Sequence, residues 1–370
     1  MPVSIVQVVR DVHTSGGIGG VAHALGEAFE RIGVPAEYMT LESVCGLKPR
    51  RLERSVLDKC FNLLMQTTFS IAGSWAIRRS RRGPGDRRVF LVHNDAIGGD
   101  VYVDHGCHKA VVRQRPTMVL RNPYHVFLLL REEIRHWIGS YRYVVTLSDL
   151  SRAVFQSAYA GVPAEKLFAI PNGIDLARFR PADRGPHVAG RLRLLFVGHE
   201  FERKGLEFVI RAMPELPDGV TLQVVGGGPH EIAAAERLAA SLGVGRRTDF
   251  LGKRDDVPSL LAAADVLVLP SRYESWGLVT LEAMASGVIP VCTPTGCVPE
   301  VVADGVNGYV VRREPDDIAR AVLRLLERGE GIAELRRAAR ATAERYAWDA
   351  IAARYAELAG RVVAEREADA

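Results

Sequence analysis

Short apolar runs alternate with amphipathic stretches along this chain. Residues 4–9, 88–93 and 143–147 are compact apolar runs of strand length, whereas 19–32 and 149–159 show the three-to-four spacing of helices. After a polar passage at 180–186, rich in Pro and Gly, the alternation restarts. Strands are expected at 192–197, 220–225, 249–251, 266–269 and 288–291, interleaved with helices at 206–213, 229–242, 257–263 and 277–285. A long Ala-rich helix is expected from 348 to 365. Strands alternating with helices argue for an α/β fold of parallel sheets with crossover helices. Two such runs predict two doubly wound, Rossmann-like domains. The first spans 1–185 and the second 186–347, with the helix at 348–370 returning to the first.

A chain of 370 residues suits two such domains. Its ordinary apolar and charged content excludes a disordered, collagenous or polytopic membrane protein. The net charge of +4 is too small to imply nucleic-acid binding, but its distribution is uneven. Residues 1–185 hold 25 Lys and Arg against 17 Asp and Glu, and residues 186–370 hold 23 against 27. An anionic partner is therefore expected for the first half alone.

The five cysteines form no CxxC pair and no metal-ligand spacing, which fits a reducing compartment and predicts no structural metal. No charged and apolar leader opens the chain, so a cytoplasmic location is expected. Residues 48–88 and 118–139 interrupt the alternation with apolar helical segments edged by arginines, among them Arg78, Arg79, Arg81, Arg82, Arg87 and Arg88. Two readings stand. These segments cover the first sheet with solvated arginines, or they rest peripherally on an anionic membrane surface.

Candidate chemistry gathers at strand ends in the second half. Glu274 should lie on the loop after strand 266–269, where open α/β sheets bind ligands. Glu282 lies on the helix that follows. Between them, Gly277, Leu278 and Val279 open that helix with unpaired amides suited to phosphate. A carboxylate accepts two hydrogen bonds at once and so suits vicinal hydroxyls. The plainer alternative makes one or both Glu residues exposed helix charges. Arg203 and Lys204 follow the first strand of this half, where they can neutralise a diphosphate. Gly226-Gly227-Gly228 follows the second.

Taken in order, these pieces carry a resemblance. Ile170-Pro171-Asn172-Gly173-Ile174-Asp175, Lys204-Gly205, Phe250-Leu251-Gly252, Ala264-Asp265, Leu269-Pro270-Ser271, Glu274 with Glu282 seven residues between, and Asn307-Gly308 resemble the retaining glycosyltransferases of family 4, strongest over residues 169–311. The resemblance implies a GT-B fold, two Rossmann-like domains facing across a deep cleft, and transfer of a hexose from a nucleoside-diphosphate sugar, UDP-linked by default. Arg203 and Lys204 supply charge and no Asp-x-Asp element lies on a strand-end loop, so no metal cofactor is expected. It implies that Lys204 with Arg203 holds the diphosphate, Glu282 the ribose and Glu274 the donor sugar. Amides near Leu278 and Val279 would touch the phosphates, and the loop Gly16-Gly17-Ile18-Gly19 would close on the donor. Many members read Gly-Arg-Leu where this chain reads Gly198-His199-Glu200, so their arginine is absent or replaced by Arg203.

Within the first half, Asp100-Val101-Tyr102-Val103-Asp104-His105-Gly106-Cys107-His108-Lys109, taken with the Arg203-Lys204-Gly205 loop, resembles the lipopolysaccharide core glucosyltransferase subgroup. His105 is then the residue expected near the reacting sugar, ahead of His108 and Asp104, or else a structural histidine. The implied acceptor is a glycan or lipid-linked intermediate of lipopolysaccharide or exopolysaccharide assembly.

Two rival functions have distinct signatures. A membrane-associated binding protein with this fold would have lost turnover. An NAD-dependent oxidoreductase would use Gly17-Ile18-Gly19-Gly20-Val21-Ala22 with Glu37, but residues 10–15 separate the strand from Gly16, and the fingerprint needs its first Gly at the turn itself.

Overall fold

The computed structural model describes residues 3–14, 17–48, 56–81, 83, 85–114, 116, 117, 119, 124–138, 141–183 and 190–370. It divides into two compact units, Met1–Gly173 with Trp348–Ala370, and Ile174–Ala347.

The first unit is built on a parallel six-stranded sheet of β1 (Ser4–Val8), β2 (Ala36–Met39), β3 (Arg88–His93), β4 (Val101–Asp104), β5 (Tyr143–Thr146) and β6 (Leu167–Ala169). The strand order is β2-β1-β3-β4-β5-β6. The direction of strand addition reverses between β1 and β3, so loops after these strands diverge and leave room at the sheet's C-terminal edge. Helix Ile18–Arg31 follows β1, and helices Val56–Ser80 and Tyr124–Ile138 follow β2 and β4. Helix Trp348–Ala368 belongs to this unit. Asp349 pairs with Arg31 at 2.7 Å, and Arg142 with Asp369 at 2.8 Å.

The second unit holds β7 (Leu192–Val197), β8 (Val220–Val225), β9 (Thr248–Gly252), β10 (Val266–Leu269), β11 (Ile289–Cys292) and β12 (Tyr309–Val310). All are parallel, in the order β12-β11-β10-β7-β8-β9, with the reversal between β7 and β10. β10 is buried at every position, as apolar runs in covered parallel sheets are.

The division falls earlier than the polar passage at 180–186 suggests. Ile174 bridges to Ala347, the buried Phe179 receives Arg340 Nη1 on its carbonyl at 2.9 Å, and these contacts fix residues 174–179 to the second unit. Polarity therefore misplaces the boundary, because a polar segment can be anchored through its backbone. Among the described residues, no helix is long and apolar enough to cross a membrane.

Candidate functional site

The second unit concentrates charge at its reversal point. β7 ends at Val197, and the short helix Phe201–Lys204 is stopped by Gly205 at φ 83°. A Cβ on Gly205 would lie 2.3 Å from the Pro270 carbonyl oxygen, so only glycine lets this loop meet the one after β10. Arg272 N donates to the Arg203 carbonyl at 2.8 Å and ties the two loops.

Three groups converge on one oxygen. Lys204 Nζ lies 2.8 Å and Arg203 Nη1 3.4 Å from Glu274 Oε1, and Ser271 Oγ donates to the same oxygen at 2.7 Å. Arg203 also donates to the Tyr273 carbonyl at 2.6 Å and to Glu200 at 2.7 Å. Lys204 and Glu274 side chains are only 13% and 11% exposed, so their attraction is little screened by water.

Glu274 is thus paired, and the alternative of a solvated helix charge does not hold for it. His199 stands at the place of the absent family arginine, and its neighbour Glu200 binds the guanidinium of Arg203.

Gly277 adopts φ 85° and opens helix Leu278–Ala285 with no side-chain cap, leaving the Leu278 and Val279 amides free of one. Gly296 presses on the same turn, where a Cβ would stand 2.3 Å from the Trp276 carbonyl oxygen. Glu282 is part-buried on this helix. Burial pushes its carboxyl up to about 7, opposed by the positive charges of Arg178 and Lys204. The glycine-rich loop after β8 backs the site. Gly226 at φ 106° abuts the Gly198 carbonyl, and Gly227 lies on the Phe201 ring.

Sequence reasoning missed Glu231, which accepts from Phe201 N at 3.2 Å and Gly228 N at 2.9 Å and so fixes both loops. It also missed Arg178, whose position soon after the Asn172-Gly173-Ile174-Asp175 motif was its one signal.

The first unit holds the remaining candidates. Gly16 lies outside the described residues. Gly17 opens helix Ile18–Arg31 at φ 90°. Gly19 has no room for a Cβ beside His13 and the Asp11 carbonyl. His105 follows β4, part-buried, with Nε2 3.0 Å from His93 Nδ1, and burial brings its imidazolium down to about 4. It is neutral at physiological pH.

Asp104 is buried, and burial with the nearby charge of Glu132 lifts it to about 7. The His108 ring stacks on His125, and its amide donates to Glu132 at 2.9 Å, which commits this residue to packing at a helix start.

Comparison with known proteins agrees with this layout. Residues 191–328 match the family model described as glycosyl transferases group 1. A GDP-mannose-dependent alpha-(1-6)-phosphatidylinositol monomannoside mannosyltransferase of Mycobacterium tuberculosis is 33% identical over 246 residues, 60% of this chain and 62% of that protein. The chain spans about half the length of the curated relatives it matches.

Among solved structures, sucrose-phosphate synthase from Thermosynechococcus elongatus superposes with a TM-score of 0.75 at 21% identity, covering 98% of this chain and 100% of that one. WaaG, a glycosyltransferase involved in lipopolysaccharide biosynthesis, gives 0.72 at 22% identity over 96% and 99%. At such identities these two structures speak to the fold alone. Residues 191–328 thus resemble the group 1 glycosyl transferases, within a chain that has the GT-B fold of two Rossmann-like units.

Proposed function

We propose that the chain is a retaining hexosyltransferase, moving a sugar from a UDP-sugar to a hydroxyl of a glycan or lipid-linked acceptor. The convergence of Lys204 and Arg203 on Glu274 beside an uncapped helix start carries this reading. Two cations and a set of helix amides match the charge of a departing diphosphate, and the Glu274 carboxylate beside them suits hydroxyls of the attached sugar. Glu282, once ionised, accepts two hydrogen bonds from ribose hydroxyls.

In the proposed step the bond from the anomeric carbon to the phosphate oxygen breaks, and its electron pair stays on the diphosphate. The acceptor oxygen bonds the same face, and its proton passes to the phosphate. The protein's work is to hold both partners and stabilise the leaving group, with Lys204 and Arg203 in the place of a metal.

The mannosyltransferase relative is named for GDP-mannose, so guanosine is the base to test against uridine. For the acceptor, we favour a lipid-linked intermediate of lipopolysaccharide or exopolysaccharide assembly at the cytosolic membrane face. Leu64, Ile71 and Trp75 form an exposed apolar stripe on helix Val56–Ser80, which ends in exposed Arg78 and Arg79. Leu130, Ile134 and Trp137 are exposed on helix Tyr124–Ile138, but the arginines of that helix, Arg131 and Arg135, are buried. An apolar stripe edged by arginine, as on helix Val56–Ser80, suits an anionic lipid surface.

Incubating the protein with UDP-hexoses and lipid-linked glycan acceptors tests the activity. Transfer with retained anomeric configuration, abolished by Lys204→Ala, is expected. No transfer and no donor hydrolysis with any nucleotide sugar sinks the reading.

A further inference from the structure

Three side chains in the first unit form a buried line from the middle of the sheet to His105. Gln7, on β1, and His93, the last residue of β3, are both fully buried. Gln7 Nε2 donates to the Ala22 carbonyl at 2.9 Å. A carbonyl only accepts, so the amide orientation of Gln7 is fixed, and its Oε1 faces His93 Nε2 at 3.0 Å. His93 Nε2 must then carry the proton.

In a neutral ring the other nitrogen, Nδ1, holds a lone pair. It lies 3.0 Å from His105 Nε2, which must in turn donate. The two rings stack, with centroids 5.3 Å apart. Every bond in the line has one possible direction, set by the Ala22 carbonyl at its far end.

We infer that Gln7 and His93 are positioning residues that hold His105 as the neutral, Nε2-protonated tautomer, leaving its Nδ1 lone pair to accept a hydrogen bond from a ligand hydroxyl. Among the described residues nothing donates to that Nδ1. An atom that only accepts cannot bind a phosphate oxygen, which also accepts, so this position selects the sugar or acceptor part of a substrate and not its diphosphate. Burial holds both rings well below the ordinary imidazolium range, so the line keeps its direction at neutral pH. The ligand half of this inference rests on the reading of His105 as a substrate contact. The tautomer half does not.

Long-range 15N–1H correlation spectra of the full chain with 15N-labelled histidine, at pH 7.5, test the tautomer. Both His93 and His105 should show Nε2–H and unprotonated Nδ1. Gln7→Leu removes the acceptor that orients the line and should populate Nδ1–H in both rings, whereas Gln7→Glu keeps an acceptor and should preserve the wild-type pattern. A protonated Nδ1 on His105 in the wild-type protein overturns the inference, as does an unchanged pattern in Gln7→Leu. The wild-type spectrum decides even if the leucine variant fails to fold.

In turnover, Gln7→Leu should lower kcat/KM by about tenfold, the worth of one hydrogen bond to substrate, with Gln7→Glu largely restored. His105→Ala with undiminished turnover, beside an intact wild-type line, overturns the substrate contact and leaves the tautomer assignment standing.

Discussion

Gly198 offers a way to move the Lys204 ammonium without removing it. A Cβ at this position would stand 2.9 Å from both Cγ and Cδ of Lys204, where ordinary contact begins near 3.4 Å. The gap is about 0.5 Å. The backbone cannot retreat to supply it, because the Gly198 carbonyl already abuts Gly226 and the Gly198 amide is bonded to the Val225 carbonyl at 2.9 Å. The lysine stem must shift instead, and with it the Nζ that sits 2.8 Å from Glu274.

A hydrogen bond between charged groups contributes roughly 1.5–3 kcal/mol, and displacement by this distance forfeits about half. Gly198→Ala should therefore weaken UDP binding by about four- to tenfold in isothermal titration calorimetry. Gly161→Ala, which meets nothing within 4 Å, should leave binding unchanged. On a Lys204→Ala background the Gly198 substitution should add nothing, since the group it displaces is gone. Equal weakening with and without Lys204 refutes the reasoning, as does no weakening at all.

The Glu282 carboxyl, raised by burial to about 7, keeps in the folded chain a proton that the unfolded chain releases from about pH 4.5 upward. Its contribution to stability therefore falls as pH rises between those values and levels off above 7. Glu282→Gln should remove that slope, changing the wild-type-minus-variant difference by at most about 3 kcal/mol between pH 5 and 8 in urea unfolding, and parallel profiles contradict this. Transfer should survive EDTA treatment within about twofold, because Arg203 and Lys204 supply the charge; activity lost to EDTA and restored by Mg2+ contradicts it. The protein should co-sediment with phosphatidylglycerol vesicles at low salt, less so after Trp75→Ser with Trp137→Ser, and absence of binding at low salt contradicts the membrane reading.

Much of this architecture is legible in the residues because covered parallel strands are written as short apolar runs. Residues 88–93, 192–197, 220–225 and 266–269 coincide with β3, β7, β8 and β10. Edge strands are harder to read. β2 carries Glu37 and an exposed Tyr38, and β12 is two residues long, so neither has the apolar signature of a central strand. Helices Pro315–Glu327 and Ile332–Glu344 are obscured for another reason, since their apolar faces are built partly of alanine among many charged residues.

At the site, Lys204, Arg203 and Glu274 are legible from their spacing after strands, because strand ends share one edge of the sheet. Glu231 and the Gln7–His93 line are not. They act on neighbours brought close by the sheet, and local sequence holds no record of that partnership.

The central claim is a nucleotide-sugar site built on Lys204 and Glu282, and its most direct test is thermal shift, without metal, against UDP, GDP, ADP and NAD. A rise in melting temperature with UDP, weakened in both Lys204→Ala and Glu282→Ala, is expected. Stabilisation by NAD alone, or a UDP shift that survives both substitutions, would contradict it.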